Sequence, residues 1–207
     1  MKFSAILALA PLVAAIPGSK QANSSDAAFS VISARSASPV HLLPLNAAGS
    51  YFWLGGNAYT YSPVPGIPNT NQTVIANGHY LDVEVPGGQA IYVDNKGALR
   101  FTSPHSAYEP VGSSDGPFVY TPGASFGHWT FNGLGASGFM ACPTANGTTN
   151  STTSSRRSRR GAAAPKWQVF AALQNATVPT GKVGDCLGFD ALAVSVNTST
   201  PVAWEYV

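Results

Sequence analysis

Apolar and polar residues alternate in short runs along most of this chain. Leu81, Val83 and Val85 fall on one face of an extended segment, and Tyr80, Asp82 and Glu84 on the other. A two-residue period of this kind marks a half-buried strand. The same reading predicts strands at Phe29–Ala34, His41–Leu45, Tyr51–Leu54, Thr73–Ala76, Tyr80–Val85, Ala90–Val93 and Leu99–Thr102. It continues through Phe118–Thr121, His128–Phe131, Phe139–Cys142, Trp167–Leu173, Phe189–Val196 and Val202–Tyr206. No window of a dozen residues carries a 3.6-residue apolar period free of Gly or Pro, so the pattern supports no core-packing helix. The chain reads as one antiparallel all-β domain.

Two stretches look like copies of one hairpin. Leu45-Asn46-Ala47-Ala48-Gly49-Ser50-Tyr51-Phe52-Trp53 lines up with Val93-Asp94-Asn95-Lys96-Gly97-Ala98-Leu99-Arg100-Phe101. In both, an Asn or Asp is placed to start a turn and a Gly permits positive φ. About a dozen strands with hairpins about fifty residues apart favour a β-trefoil, with a two-sheet β-sandwich as the alternative. The third copy, from Asn132-Gly133-Leu134-Gly135, lacks the alternation that should follow.

Residues 144–165 break the pattern, being rich in Asn, Thr, Ser and Gly and then reading Arg156-Arg157-Ser158-Arg159-Arg160. No apolar residue there can anchor a core, so the segment is expected to be a disordered loop. Its arginines fit either a solvated basic patch facing anionic glycans or a dibasic processing site in an exposed loop.

The start of the chain differs again. Lys2 precedes an apolar run from Ile6 to Ala15 that ends in Val13-Ala14-Ala15, the pattern of a secretory signal peptide cleaved after residue 15. The run is shorter than the ~20 residues needed to span a bilayer. The final Trp204-Glu205-Tyr206-Val207 offers no lipid-anchor signal. The domain scheme is therefore a signal peptide at 1–15, a flexible lead-in at 16–28, and a β domain at 29–207 interrupted by the loop at 144–165.

Composition agrees with export. Only 10% of residues are charged, while 21 Gly and 16 Pro supply turns, and 44% hydrophobic residues supply a core. The net charge of +2 owes much to Lys2 and the four clustered arginines; without these five, six basic residues face nine acidic ones. No distributed basic surface of the nucleic-acid-binding kind remains. In an oxidising route the two cysteines, Cys142 and Cys186, are expected to form a disulfide. Asn-X-Ser/Thr sequons stand at Asn23, Asn71, Asn146, Asn150, Asn175 and Asn197, candidate N-glycosylation sites on exposed segments.

Catalytic and cofactor motifs are sparse. Gly123-Ala124-Ser125-Phe126-Gly127 spells the nucleophile elbow of hydrolases, but a strand-like His128-Trp129-Thr130-Phe131 follows where a helix is needed. Gly133-Leu134-Gly135-Ala136-Ser137-Gly138 spells a dinucleotide fingerprint without its helix. His41, His79, His105 and His128 show no metal-ligand spacing. Asp82 and Glu84, two apart on one strand, do not flank a sugar as glycosidase carboxylates must. Tyr59 and Tyr61 are candidates for stacking on sugar rings. The expectation is a protein without catalytic residues, metal or cofactor.

Several stretches in order resemble the fungal cell wall protein PhiA family, the phialide-development proteins of filamentous fungi. They include Phe29-Ser30-Val31-Ile32-Ser33-Ala34-Arg35-Ser36, Phe52-Trp53-Leu54-Gly55-Gly56 and Leu81-Asp82-Val83-Glu84-Val85-Pro86-Gly87-Gly88-Gln89. Gly138-Phe139-Met140-Ala141-Cys142-Pro143, Asp185-Cys186-Leu187-Gly188-Phe189-Asp190-Ala191 and Ala203-Trp204-Glu205-Tyr206 complete the series. The chain departs from the family pattern at Tyr61-Ser62-Pro63, where relatives often carry Tyr-Cys-Pro. The resemblance implies a secreted, wall-associated, non-enzymatic protein linked to conidium development and stress protection. Its partners would be wall polysaccharide or other wall proteins, with no nucleic acid and no membrane anchor. The alternative is a lectin-like module or host-directed effector on the same scaffold.

Overall fold

A computed structural model describes residues 27–67, 69–144, 167–197 and 200–207. The signal-peptide and lead-in residues up to 26, and residues 145–166 with the arginine cluster, lie outside the described residues. The expected all-β character holds: strands joined by turns, with a 3₁₀ turn at Val183–Asp185.

The organising element is a nine-residue strand, Leu187–Ser195, whose Phe189, Ala191 and Ala193 point inward. Numbered in chain order it is β13, and the others are as follows. The N-terminal half holds β1 (Ala28–Ala34), β2 (Leu45–Ala48), β3 (Tyr51–Leu54), β4 (Thr60–Tyr61), β5 (Ile75–Ala76), β6 (Tyr80–Leu81), β7 (Ile91–Val93) and β8 (Leu99–Phe101). Then come β9 (Phe118–Thr121), β10 (Gly127–Phe131), β11 (Phe139–Pro143), β12 (Trp167–Ala171) and, last, β14 (Glu205–Tyr206). One edge of β13 pairs with β1, from Phe29↔Ser195 to Ala34↔Asp190. Its other edge pairs first with β11 (Ala141↔Leu187) and then with β10 (Gly127↔Ala193). From that fork the sheet runs outward through β1-β5-β6 and through β11-β12-β3-β8-β7, every pair antiparallel.

Alternation along these strands fills the core with aromatics. Phe118 stacks on Trp129 at 5.4 Å, Trp129 meets Phe139 at 4.7 Å, and Phe29 stacks on Tyr120 at 4.6 Å. The Trp129 indole N–H donates to Gly78 O at 2.7 Å, so its one polar group stays paired inside. Cys142 and Cys186 form the expected disulfide, with Cα atoms 4.2 Å apart.

The two look-alike hairpins close differently. β2 and β3 join through Gly49 (φ 62°) and Ser50 (φ 63°), positive at both central positions as a type I′ turn requires. Asn46 starts no turn there; it lies within β2, pairs with Trp53, and donates from its amide to Gly56 O at 2.9 Å. β7 and β8 join through a longer loop that Asp94 does organise, accepting from the N–H groups of Lys96 and Ala98 at 3.0 and 2.9 Å. The strand expected at His41–Leu45 is a turn, with Leu42 at φ 60°, and the strand begins at Leu45.

Candidate functional site

Where the chain brings uncharged hydrogen-bonding groups and exposed aromatic surface together, it does so around β4. Tyr59 and Tyr61 are each 53% exposed, and residues two apart on extended backbone share a face. Beside them runs the segment 69–73. Ala58, Tyr59, Thr60, Asn69, Thr70 and Asn71 line an open groove of about 420 Å³. Asn71 also lines a second groove, of about 360 Å³, with Asn46, Asn57 and Gln72. Neither lining contains an ionisable carboxyl, amine or guanidinium group.

Local hydrogen bonds fix this surface. The Thr60 hydroxyl donates to Thr70 O at 3.1 Å and accepts from Thr70 N–H at 2.9 Å. Ala58 N–H donates to Asn71 O at 3.2 Å, and Tyr59 N–H to Ala47 O at 3.0 Å. Thr73, the third residue of the Asn71 sequon, is buried, and its hydroxyl accepts from Ala47 N–H at 2.8 Å.

The C-terminus holds the arrangement from beneath. β14 pairs with β4 (Tyr206↔Thr60, Glu205↔Tyr61), and Val207 N–H donates to Tyr59 O at 2.9 Å. Gln89, fully buried, takes both backbone groups of Tyr206: its amide donates to Tyr206 O at 2.9 Å, and its carbonyl accepts from Tyr206 N–H at 2.8 Å. The Tyr206 hydroxyl donates to Gln72 O at 3.0 Å and accepts from Val74 N–H at 3.1 Å. Burial raises the Tyr206 phenol well above its ordinary value, opposed by the Val74 bond. Nothing in the local sequence announced Gln89; its partner lies 117 residues away.

The remaining singled-out residues are dispersed. Asn71, Asn175 and Asn197 are all exposed and outside the strands. Asn23, Asn146, Asn150, Arg156, Arg157, Arg159 and Arg160 lie outside the described residues. Ser125 sits in an exposed loop that leads into β10, a strand, so the elbow geometry is not formed. Gly133 to Ala136 make a turn closed by Ala136 N–H donating to Gly133 O at 2.9 Å, with Leu134 at φ 56°, and β11 follows it. His41, His105 and His128 are exposed, and His79 sits 3.0 Å from Asn77 O. No group of three or more His, Cys, Asp or Glu converges among the described residues. Glu84 is exposed as the alternation predicts, but Asp82 is half-buried, accepting from Val202 N–H at 3.2 Å. Burial raises its carboxyl above the ordinary value, and the Val202 bond opposes that.

Comparison with known proteins finds relatives along the span of the β domain. The model of one protein family, described as PhiA-like secreted protein, matches residues 29–207. An uncharacterized secreted protein of Arthroderma benhamiae is 40% identical over 171 residues, covering 81% of this chain and 79% of its own. No solved structure matches.

Proposed function

Because the chain belongs to the PhiA-like secreted protein family, we propose that it is an N-glycosylated structural protein of the fungal cell wall. It acts without catalysis, in phialide and conidium development and in stress protection. The observation that carries this reading is the family match over the whole β domain, residues 29–207. The exposure of Asn71, Asn175 and Asn197 supports the glycan part of it. Wall polysaccharide or other wall proteins are its partners. Fractionation of hyphal and conidial walls, followed by mass spectrometry of the intact and deglycosylated protein, tests it. Retention in the wall fraction with occupied sequons is the expected result; quantitative recovery of unglycosylated protein from the medium would sink the reading.

A second reading, a lectin-like module or host-directed effector, draws support from Tyr59 and Tyr61 beside an uncharged groove. Selective binding on a glycan array by freely secreted protein would favour it over wall retention without glycan preference.

A further inference from the structure

The groove beside Tyr59 has an unusual rim. One of its lining residues, Asn71, is itself a sequon asparagine, and it lines two uncharged grooves at once. We propose that the occupant of the Tyr59 groove is the chain's own N-glycan on Asn71, with its first N-acetylhexosamine lying over the Tyr59 ring. The inference rests on the N-glycosylated reading above and gives one glycan a structural role.

Three features argue for it. A pyranose presents axial C–H groups on one face, and these pack against the electron-rich face of an aromatic ring. Asn69 and Thr70 add an amide and a hydroxyl, suited to an acetamido and hydroxyl-bearing ligand and not to an ion. The Ala58 N–H to Asn71 O bond ties the attachment residue to the neighbour of Tyr59, so the sugar needs no long reach. A volume of about 420 Å³ falls within the ~300–1,000 Å³ range of small-molecule sites.

The order of events is also fixed by the fold. In attachment, the Asn71 amide nitrogen takes the anomeric carbon of a lipid-pyrophosphate-linked oligosaccharide. The bond from that carbon to the pyrophosphate oxygen breaks, and the amide gives up one proton. The transferring enzyme must also reach the sequon hydroxyl, yet Thr73 is 2% exposed with its oxygen engaged by Ala47 N–H at 2.8 Å. Attachment therefore precedes the docking of the 69–73 segment on β2, and the sugar is present when the groove forms.

The test uses the full chain secreted from a glycosylating host. Enzymatic glycan release in heavy-oxygen water, with peptide mass spectrometry, reads Asn71 occupancy. Melting of the wild type, Asn71→Gln, Tyr59→Ser and the double variant then forms a cycle, with Tyr59→Phe as the variant that keeps the ring. Asn71→Gln should lower Tm by ~2–4 °C, the shift expected of a single modest contact in a domain this size. It should do so equally in the Tyr59→Phe background and have no effect in the Tyr59→Ser background. An occupied Asn71 whose loss shifts Tm by the same amount with and without the Tyr59 ring would overturn the inference alone. An unoccupied Asn71 would overturn it together with the glycan at this sequon.

Discussion

Replacing Gln89 by Leu keeps the approximate volume of a fully buried side chain while deleting everything it bonds to. Three hydrogen bonds vanish: the amide to Thr102 O at 3.0 Å, the amide to Tyr206 O at 2.9 Å, and Tyr206 N–H to the side-chain carbonyl at 2.8 Å. At a net ~1 kcal/mol each they amount to about 3 kcal/mol. Tyr206 is buried, so its stranded backbone groups each forfeit ~1–3 kcal/mol of hydration unless the strand moves. A total loss of about 3–5 kcal/mol follows, allowing for the apolar burial that Leu gains. At ~2–4 °C per kcal/mol, Tm should fall by about 6–20 °C.

Denaturant melts of the deglycosylated protein measure this directly, and two companions make the reasoning refutable. Gln89→Glu retains an acceptor for Tyr206 N–H but has no donor while ionised; it should be worse than Leu at neutral pH and recover in acid, where a protonated carboxyl donates again. Truncation before Glu205 removes β14, so Gln89→Leu should cost far less in the truncated chain than in the full one. Simple additivity of truncation and substitution, or a loss below ~1 kcal/mol in the full chain, would show that Gln89 fills space and does not tether the C-terminus.

Asp82→Asn should match the wild type below pH 3.8, the carboxyl's ordinary value. The folded state holds this proton to higher pH than the unfolded chain does, so wild-type stability falls relative to the variant as pH rises from 3.8 through the raised folded value. Parallel pH–stability curves would contradict that. Opening Cys142–Cys186 by paired Ser substitutions frees a loop with a sequence separation of 44 and should cost about 4 kcal/mol, read from urea midpoints; a loss below ~1 kcal/mol would contradict the loop-closure account. If the arginine cluster is cut, after Arg157 or Arg160, the two pieces should stay joined on a non-reducing gel and separate on reduction. One unchanged band under reduction would exclude cleavage. Gly133→Ala should cost about 1–3 kcal/mol in the same melts, because its Cβ would stand 2.5 Å from both Gly116 O and the Phe131 ring; an unchanged midpoint would refute the tight approach.

Strands were legible in sequence as alternating runs or as short runs of large apolar residues, the latter giving Ile91–Val93 and Phe139–Pro143, which are buried on both faces. Tyr51–Leu54 and Phe118–Thr121 alternate cleanly and end where the pattern ends. β2 defeats both signals: Leu45-Asn46-Ala47-Ala48 is buried throughout, so it has no period, and its Asn and two alanines make no run of large apolar residues. The apolar positions just before it belong to a turn in which Leu42 takes positive φ. Asp82 shows the opposite failure: it alternates with Leu81 and Val83 as a polar-face residue should, yet Val202 arrives from 120 residues away to claim its carboxylate.

The region around β4 was illegible for a reason of the same kind. Thr60 and Tyr61 make a strand only because Tyr206 and Glu205 reach them, and Gln89 fixes Tyr206 in turn. Each of these residues is unremarkable in its own neighbourhood of sequence. Their association is topological: the chain's last residues, inserted between Gln89 and the Thr60 strand, set the height at which Tyr59 and Asn71 stand. The Asn71 sequon and the exposed tyrosines were both visible in advance as separate signals. What sequence could not supply was their shared groove, and on the proposal above that adjacency makes a glycan at Asn71 a packing partner of this fold and not only a decoration on it.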